Sequence, residues 1–94
     1  MKIAGIIWLD EIIEKIRQKH QVNQDEVKEV LRNSNHFRFV EKGRRPGENI
    51  YLAFGQTNAG RYLTIFFVYK KDRQALVVSA RDMTIAERKR YEQK

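Results

Sequence analysis

Three runs of strand-forming residues, NIYLAFGQ (49–56), RYLTIFFVYK (61–70) and QALVVSAR (74–81), follow one another with only TNAG and KDR between them. Their Ile, Val, Phe, Tyr and Thr content suits a pleated, half-buried backbone. Breaks of three or four residues carrying Gly, Asn and Asp can close hairpins but cannot hold a crossover helix. This stretch is predicted as an antiparallel meander, and a sheet of that kind needs at least one face covered. The cover must come from the residues around it.

Those residues supply helices. LDEIIEKIRQKH (9–20) puts Leu9, Ile12, Ile13 and Ile16 at helical spacing, with Asp10 and Glu11 in the first turn, where carboxylates favour the positive end of the dipole. Asn23 is an N-cap with Glu26 three residues on, and Val27, Val30 and Leu31 form the apolar stripe of a second helix reaching about Arg32. IAGIIW (3–8) reads as a first strand and HFRFV (36–40) as another, followed by a Gly- and Pro-containing loop over EKGRRPGEN (41–49). Thr84 and Glu87 make a capping box that opens a terminal helix. The prediction is a single α+β domain over 1–94: a small antiparallel sheet in the order β-α-α-β-β-β-β-α, with two N-terminal helices and one C-terminal helix.

If Asp72 and Arg73 form a two-residue turn, Thr64 lies opposite Arg81 and Ile65 opposite Ala80. Leu63, Ile65, Phe67, Leu76, Val78 and Ala80 then share the core face. The other face carries Tyr62, Thr64, Phe66, Val77, Ser79 and Arg81, and a tight turn after Gln56 adds Tyr51. That surface could stack bases and hold a phosphate.

Charge separates along the chain. Residues 1–41 hold seven Lys/Arg and seven acids, whereas residues 42–94 hold twelve and five, so the whole net charge of +7 belongs to the second part. A polyanion-facing half is expected, for nucleic acid or an acidic protein. With 41% hydrophobic and 33% charged residues the composition suits a globular protein. No apolar run approaches the roughly 20 residues of a membrane helix, and the N-terminus lacks a signal-peptide pattern. The absence of cysteine fits a reducing compartment, and a cytoplasmic location without membrane association is the expectation.

His20 and His36 stand on different elements without a ligand-spaced partner, and no phosphate-binding glycine motif is present, so neither a metal nor a cofactor is expected. What remains is a set of cations and proton-transfer groups able to cleave RNA without a metal. Such a reaction needs a base for the 2′-hydroxyl, cations for the phosphorane charge and an acid for the leaving oxygen. Lys19-His20 joins a cation to the side-chain type that titrates near neutrality, though the pair also suits a helix C-terminus. Arg81, on the polar face at a strand end, suits a phosphate because its fork grips two oxygens. Arg61 opens the central strand but shares parity with the core face, and it is equally readable as a solvated strand end. Arg44 and Arg45, in the loop, are expected to bind RNA backbone. Arg88, Lys89, Arg90 and Lys94 of the last helix read mostly as a solvated face.

The chain resembles the BrnT-type ribonuclease toxins of type II toxin-antitoxin modules, within the RelE/ParE-like superfamily. The resemblance rests on Trp8, Lys19-His20-x-Val22, Glu26-Val27, Val30-Leu31, Gly47-Glu48, Tyr51, Gly55-Gln56-Thr57-x-x-Gly60-Arg61-x-Leu63, Ser79-Ala80-Arg81-Asp82-Met83-Thr84, Glu87-Arg88 and Tyr91, in order over nearly the whole chain. The glycine usual after Lys-His is Gln21 here. The resemblance implies a metal-independent endoribonuclease that stops translation, with Lys19, His20, Arg61 and Arg81 as its catalytic set. Tyr51, Tyr62, Glu87 and Arg88 join Arg44 and Arg45 as RNA-binding candidates. It also implies a complex with a BrnA-type ribbon-helix-helix antitoxin. The alternative is a basic module that binds antitoxin or nucleic acid without catalysis.

Overall fold

The structure is a computed structural model that describes residues 1–93; Lys94, counted above among the terminal cations, lies outside the described residues. Eight elements follow in the order β1 (Gly5–Ile7), α1 (Asp10–His20), α2 (Gln24–Asn33), β2 (His36–Glu41), β3 (Asn49–Gln56), β4 (Tyr62–Tyr69), β5 (Gln74–Asp82) and α3 (Ile85–Glu92). The five strands form one sheet, ordered β1-β5-β4-β3-β2. Strands β2 to β5 are the expected antiparallel meander. The sheet as a whole is mixed rather than antiparallel, because β1 adds to β5 in parallel, with Ile6 beside Ala75. Only the helical connection that follows β1 lets it run alongside β5 in the same direction.

Both hairpins close through three residues, which corrects the face map. Thr57 and Arg61 bracket Asn58–Gly60, and Lys70 and Gln74 bracket 71–73; Thr57 N–H donates to Arg61 O and Lys70 N–H to Gln74 O, each at 2.9 Å. The third loop residue is left-handed in both, Gly60 at φ 94° and Arg73 at φ 68°. An odd loop moves β3 by one residue against the expected register, so Tyr51 lies opposite Phe67 and shares the core face instead of joining Tyr62. In β5 a bulge at Val78 compensates: Thr64 pairs with Arg81 and Ile65 with Ala80, as expected, while Phe67 pairs with Val77. Before the bulge the parity is reversed. Ala75 and Val77 therefore enter the core, and Leu76 and Val78 do not.

Helices α1 and α2 lie on the face of Leu63, Ile65 and Phe67. Ile16, Val22, Val27, Val30 and Leu31 bury against Ala53, Ala75, Val77 and Ala80, each larger side chain contributing about 1.5–3 kcal/mol. Gly55 lets α2 approach the sheet: a Cβ there would stand 3.0 Å from Val30 Cγ1 and 3.1 Å from Ser34 Cβ. Helix α3 crosses one end of the opposite face and buries no residue; Ile85 is 78% exposed.

Candidate functional site

Lys19, His20, Arg61 and Arg81 come to one end of the sheet but divide between its two faces. The division follows from strand alternation, because Arg81 and Asp82 are neighbours on β5 and point opposite ways.

On the helical face, α1 ends in a Schellman turn. Gln21 N–H donates to Arg17 O and Val22 N–H to Ile16 O, and Ile16 and Val22 are both fully buried. Gln21 sits at φ 53°, a left-handed conformation that glycine reaches without strain. Arg61 locks the turn. Its Nη1 donates to Gln21 O at 2.7 Å and to Glu26, its Nη2 to His20 O at 2.9 Å and Asp82 Oδ2 at 3.2 Å, and its Nε to Asp82 Oδ1 at 2.8 Å. A guanidinium has five N–H donors, and here every one has a partner. The hydrogen bonds to Asp82, then those to Glu26, raise the Arg61 pKa, while burial opposes them. Asp82 is correspondingly lowered, first by the Arg61 hydrogen bond and more weakly by the charge of His20. Arg61 thus joins the end of α1, the start of α2 and two strands; it does not share a face with Arg81.

On the other face, Arg81 grips Glu87 at the N-terminus of α3, with Nη1–Oε1 2.7 Å and Nη2–Oε2 3.0 Å. Glu87 also accepts from Thr64 Oγ1 at 3.1 Å and from Thr84 N–H at 2.9 Å, while Thr84 caps Glu87 N–H in return. With the guanidinium contributing most, the Glu87 carboxyl is held at about 2. The same pairing raises Arg81. Arg81 lies over the Phe66 ring, and Arg88 stacks 3.9 Å above Tyr62, whose hydroxyl donates to Glu92. Here the structure assembles a phosphate-type fork, two aromatic rings and a second cation within one patch.

The other expected residues are placed as follows. Lys19 is exposed and His20 half-buried at the end of α1. Tyr62, Glu87 and Arg88 join Arg81. Tyr51 packs against Phe67 on the helical face, where its ring has no access to the Arg81 patch. Arg44 and Arg45 lie in the β2–β3 loop at the far end of the sheet, roughly 20 Å along the strands from Arg81 at about 3.3 Å per residue. Lys89 and Arg90 are exposed on α3. Among the described residues, no three His, Asp or Glu side chains are grouped to hold a metal ion.

Two residues escaped the sequence reading. His36 on β2 sits in the same cross-sheet row as Phe54, Thr64 and Arg81, and its ring contacts Phe54 and Tyr91 beneath α3. Its position could have been found from the β2–β3 register, had the loop length been known. Asp82 was given no role there; its parity, opposite to Arg81 and equal to Leu63, was the signal that it faces Arg61.

A family model described as the ribonuclease toxin BrnT of type II toxin-antitoxin systems matches residues 8–87. Among solved structures, the chain is similar to the 1.1 Å crystal structure of the Brucella abortus ribonuclease toxin BrnT. The TM-score is 0.60 at 16% identity, covering 88% of this chain and 99% of that one. No curated protein matches the chain.

Proposed function

The chain belongs to the BrnT family of ribonuclease toxins of type II toxin-antitoxin systems, and on that premise we propose that it is a metal-independent endoribonuclease that stops translation. A BrnA-type ribbon-helix-helix antitoxin would neutralise it. The observation that carries this reading is the Arg81 fork, set at a strand end between Phe66 and α3 and engaged with a carboxylate as it would engage a phosphate. Tyr62 and Arg88 beside it offer a stacking platform and a second cation for the flanking nucleotide.

In this mechanism RNA displaces Glu87 from Arg81, and the guanidinium then meets the charge that grows on the phosphorane oxygens. The attacking group is the 2′-hydroxyl of the preceding nucleotide. His20 or Lys19, carried on the locked end of α1 at the same end of the sheet, would exchange protons with the attacking and leaving oxygens. Arg61, a member of the expected catalytic set, serves here as a positioning residue, since its donors are spent on the backbone of His20 and Gln21 and on two carboxylates. Glu87 keeps Arg81 oriented until substrate arrives.

The test is expression of Arg81→Ala, with growth, translation and cleavage of purified RNA all followed. Growth arrest and cleavage should both be lost while the thermal transition persists. Undiminished cleavage by the variant would remove Arg81 from the mechanism, and RNA binding without cleavage by the unmodified chain would establish the non-catalytic alternative.

A further inference from the structure

A second feature lies away from the Arg81 patch. Between β1 and α2 runs a groove of about 480 Å³, walled by Ile3, Ile6, Trp8 and Leu31 and rimmed by Gln24, Lys28 and Arg32. Lys28 and Arg32 are one helical turn apart, both exposed, and neither has an ion pair or hydrogen bond among the described residues. Among the described residues no carboxylate lines the groove. Trp8 lines the wall with its ring, its Nε1 buried and without a hydrogen-bond partner among the described residues. Alongside, β1 is an edge strand with β5 as its single neighbour, so its outer backbone groups are unpaired.

We propose that this groove docks an extended apolar segment of the cognate antitoxin, lying along the free edge of β1 with its carboxylates meeting Lys28 and Arg32. The inference rests on the toxin reading above. A strand-like segment would fill the edge hydrogen bonds and place alternate apolar side chains on Ile6 and Leu31. RNA is the weaker fit. The groove belongs to residues 1–41, whose charges balance to zero, and β1 pairs with Gln74–Leu76, at the other end of β5 from Arg81. The contact is an anchor, distinct from whatever part of the antitoxin blocks cleavage.

The experiment measures binding between the full chain and the purified protein encoded by the adjacent reading frame, by titration calorimetry. The double variant Lys28→Glu/Arg32→Glu should bind at least about tenfold more weakly, since each reversal places like charges together. RNA cleavage and the thermal transition should be unchanged, and co-expression should no longer protect cells. No binding by the unmodified chain, or equal binding by the double variant, overturns the proposal. Weakened RNA binding with antitoxin binding intact also overturns it, because the groove would then serve RNA. Failure of the toxin reading shows separately, as absence of RNA cleavage by the unmodified chain without any antitoxin.

Discussion

Replacing Glu87 by Gln tests what holds α3 to the sheet. The substitution keeps the shape, and an amide can still accept from Thr84 N–H in the capping box, but it removes the charge facing Arg81. A carboxyl brought from an ordinary 4.5 to about 2 corresponds to roughly 3 kcal/mol at neutral pH, at about 1.4 kcal/mol per pH unit. The Glu87 and Arg81 side chains remain 20% and 30% exposed, so solvent screening lowers the expected effect to about 2 kcal/mol. The loss should fall on the docking of α3 more than on the whole fold, because the helix buries no residue. Hydrogen exchange at the α3 amides is therefore the appropriate assay: at pH 7 protection in Glu87→Gln should drop about thirtyfold, with little change in β3–β5. The pH dependence fixes the cause. A lowered carboxyl contributes stability that is complete above 4.5 and lost as pH falls toward 2, so normal and variant chains should converge across that window. A gap that persists unchanged to pH 2, or equal protection at pH 7, would refute the ion-pair account.

Further substitutions separate scaffold from site. Arg61→Ala strips partners from Glu26, Asp82 and two carbonyls and should cost about 3 kcal/mol in chemical denaturation; Arg61→Lys should restore little of it, lacking the fork. Gln21→Gly should raise stability by about 0.5–1 kcal/mol, because Gln21 is left-handed at φ 53°. Gly60→Ala should lower it by about 1 kcal/mol for the converse reason, at φ 94° with no atom within 4 Å to clash. RNA affinity should fall with salt, with a log–log slope near −0.7 per phosphate contacted, and Arg88→Ala should flatten that slope by about one contact; an unchanged slope would place Arg88 outside the RNA path.

The sequence by itself determined the elements and their order. Capping signals at Asn23 and Thr84, the stripe of Val27, Val30 and Leu31, and the turn residues around Gly60 and Asp72 act over a few residues, so local chemistry suffices to read them. The Thr64–Arg81 pairing was also legible, though through two deviations that cancelled: a three-residue loop and a bulge at Val78. The tertiary structure alone decided the faces of β3 and of β5 before its bulge, since one residue of loop length turns a whole strand over. Tyr51 moved to the core side for that reason, and His36 came into the row of Arg81. It also decided what the arginines do. Strand parity separates Arg61 from Arg81 in the sequence, but five donors must find acceptors, and those acceptors come from Asp82, 21 residues away, and from segments 35 to 41 residues away for Arg61, and mainly from Glu87, six residues on, for Arg81. Long-range partners of that kind have no local signature. Their placement leaves one guanidinium with all five donors bound across the frame and the other held mainly by a single carboxylate.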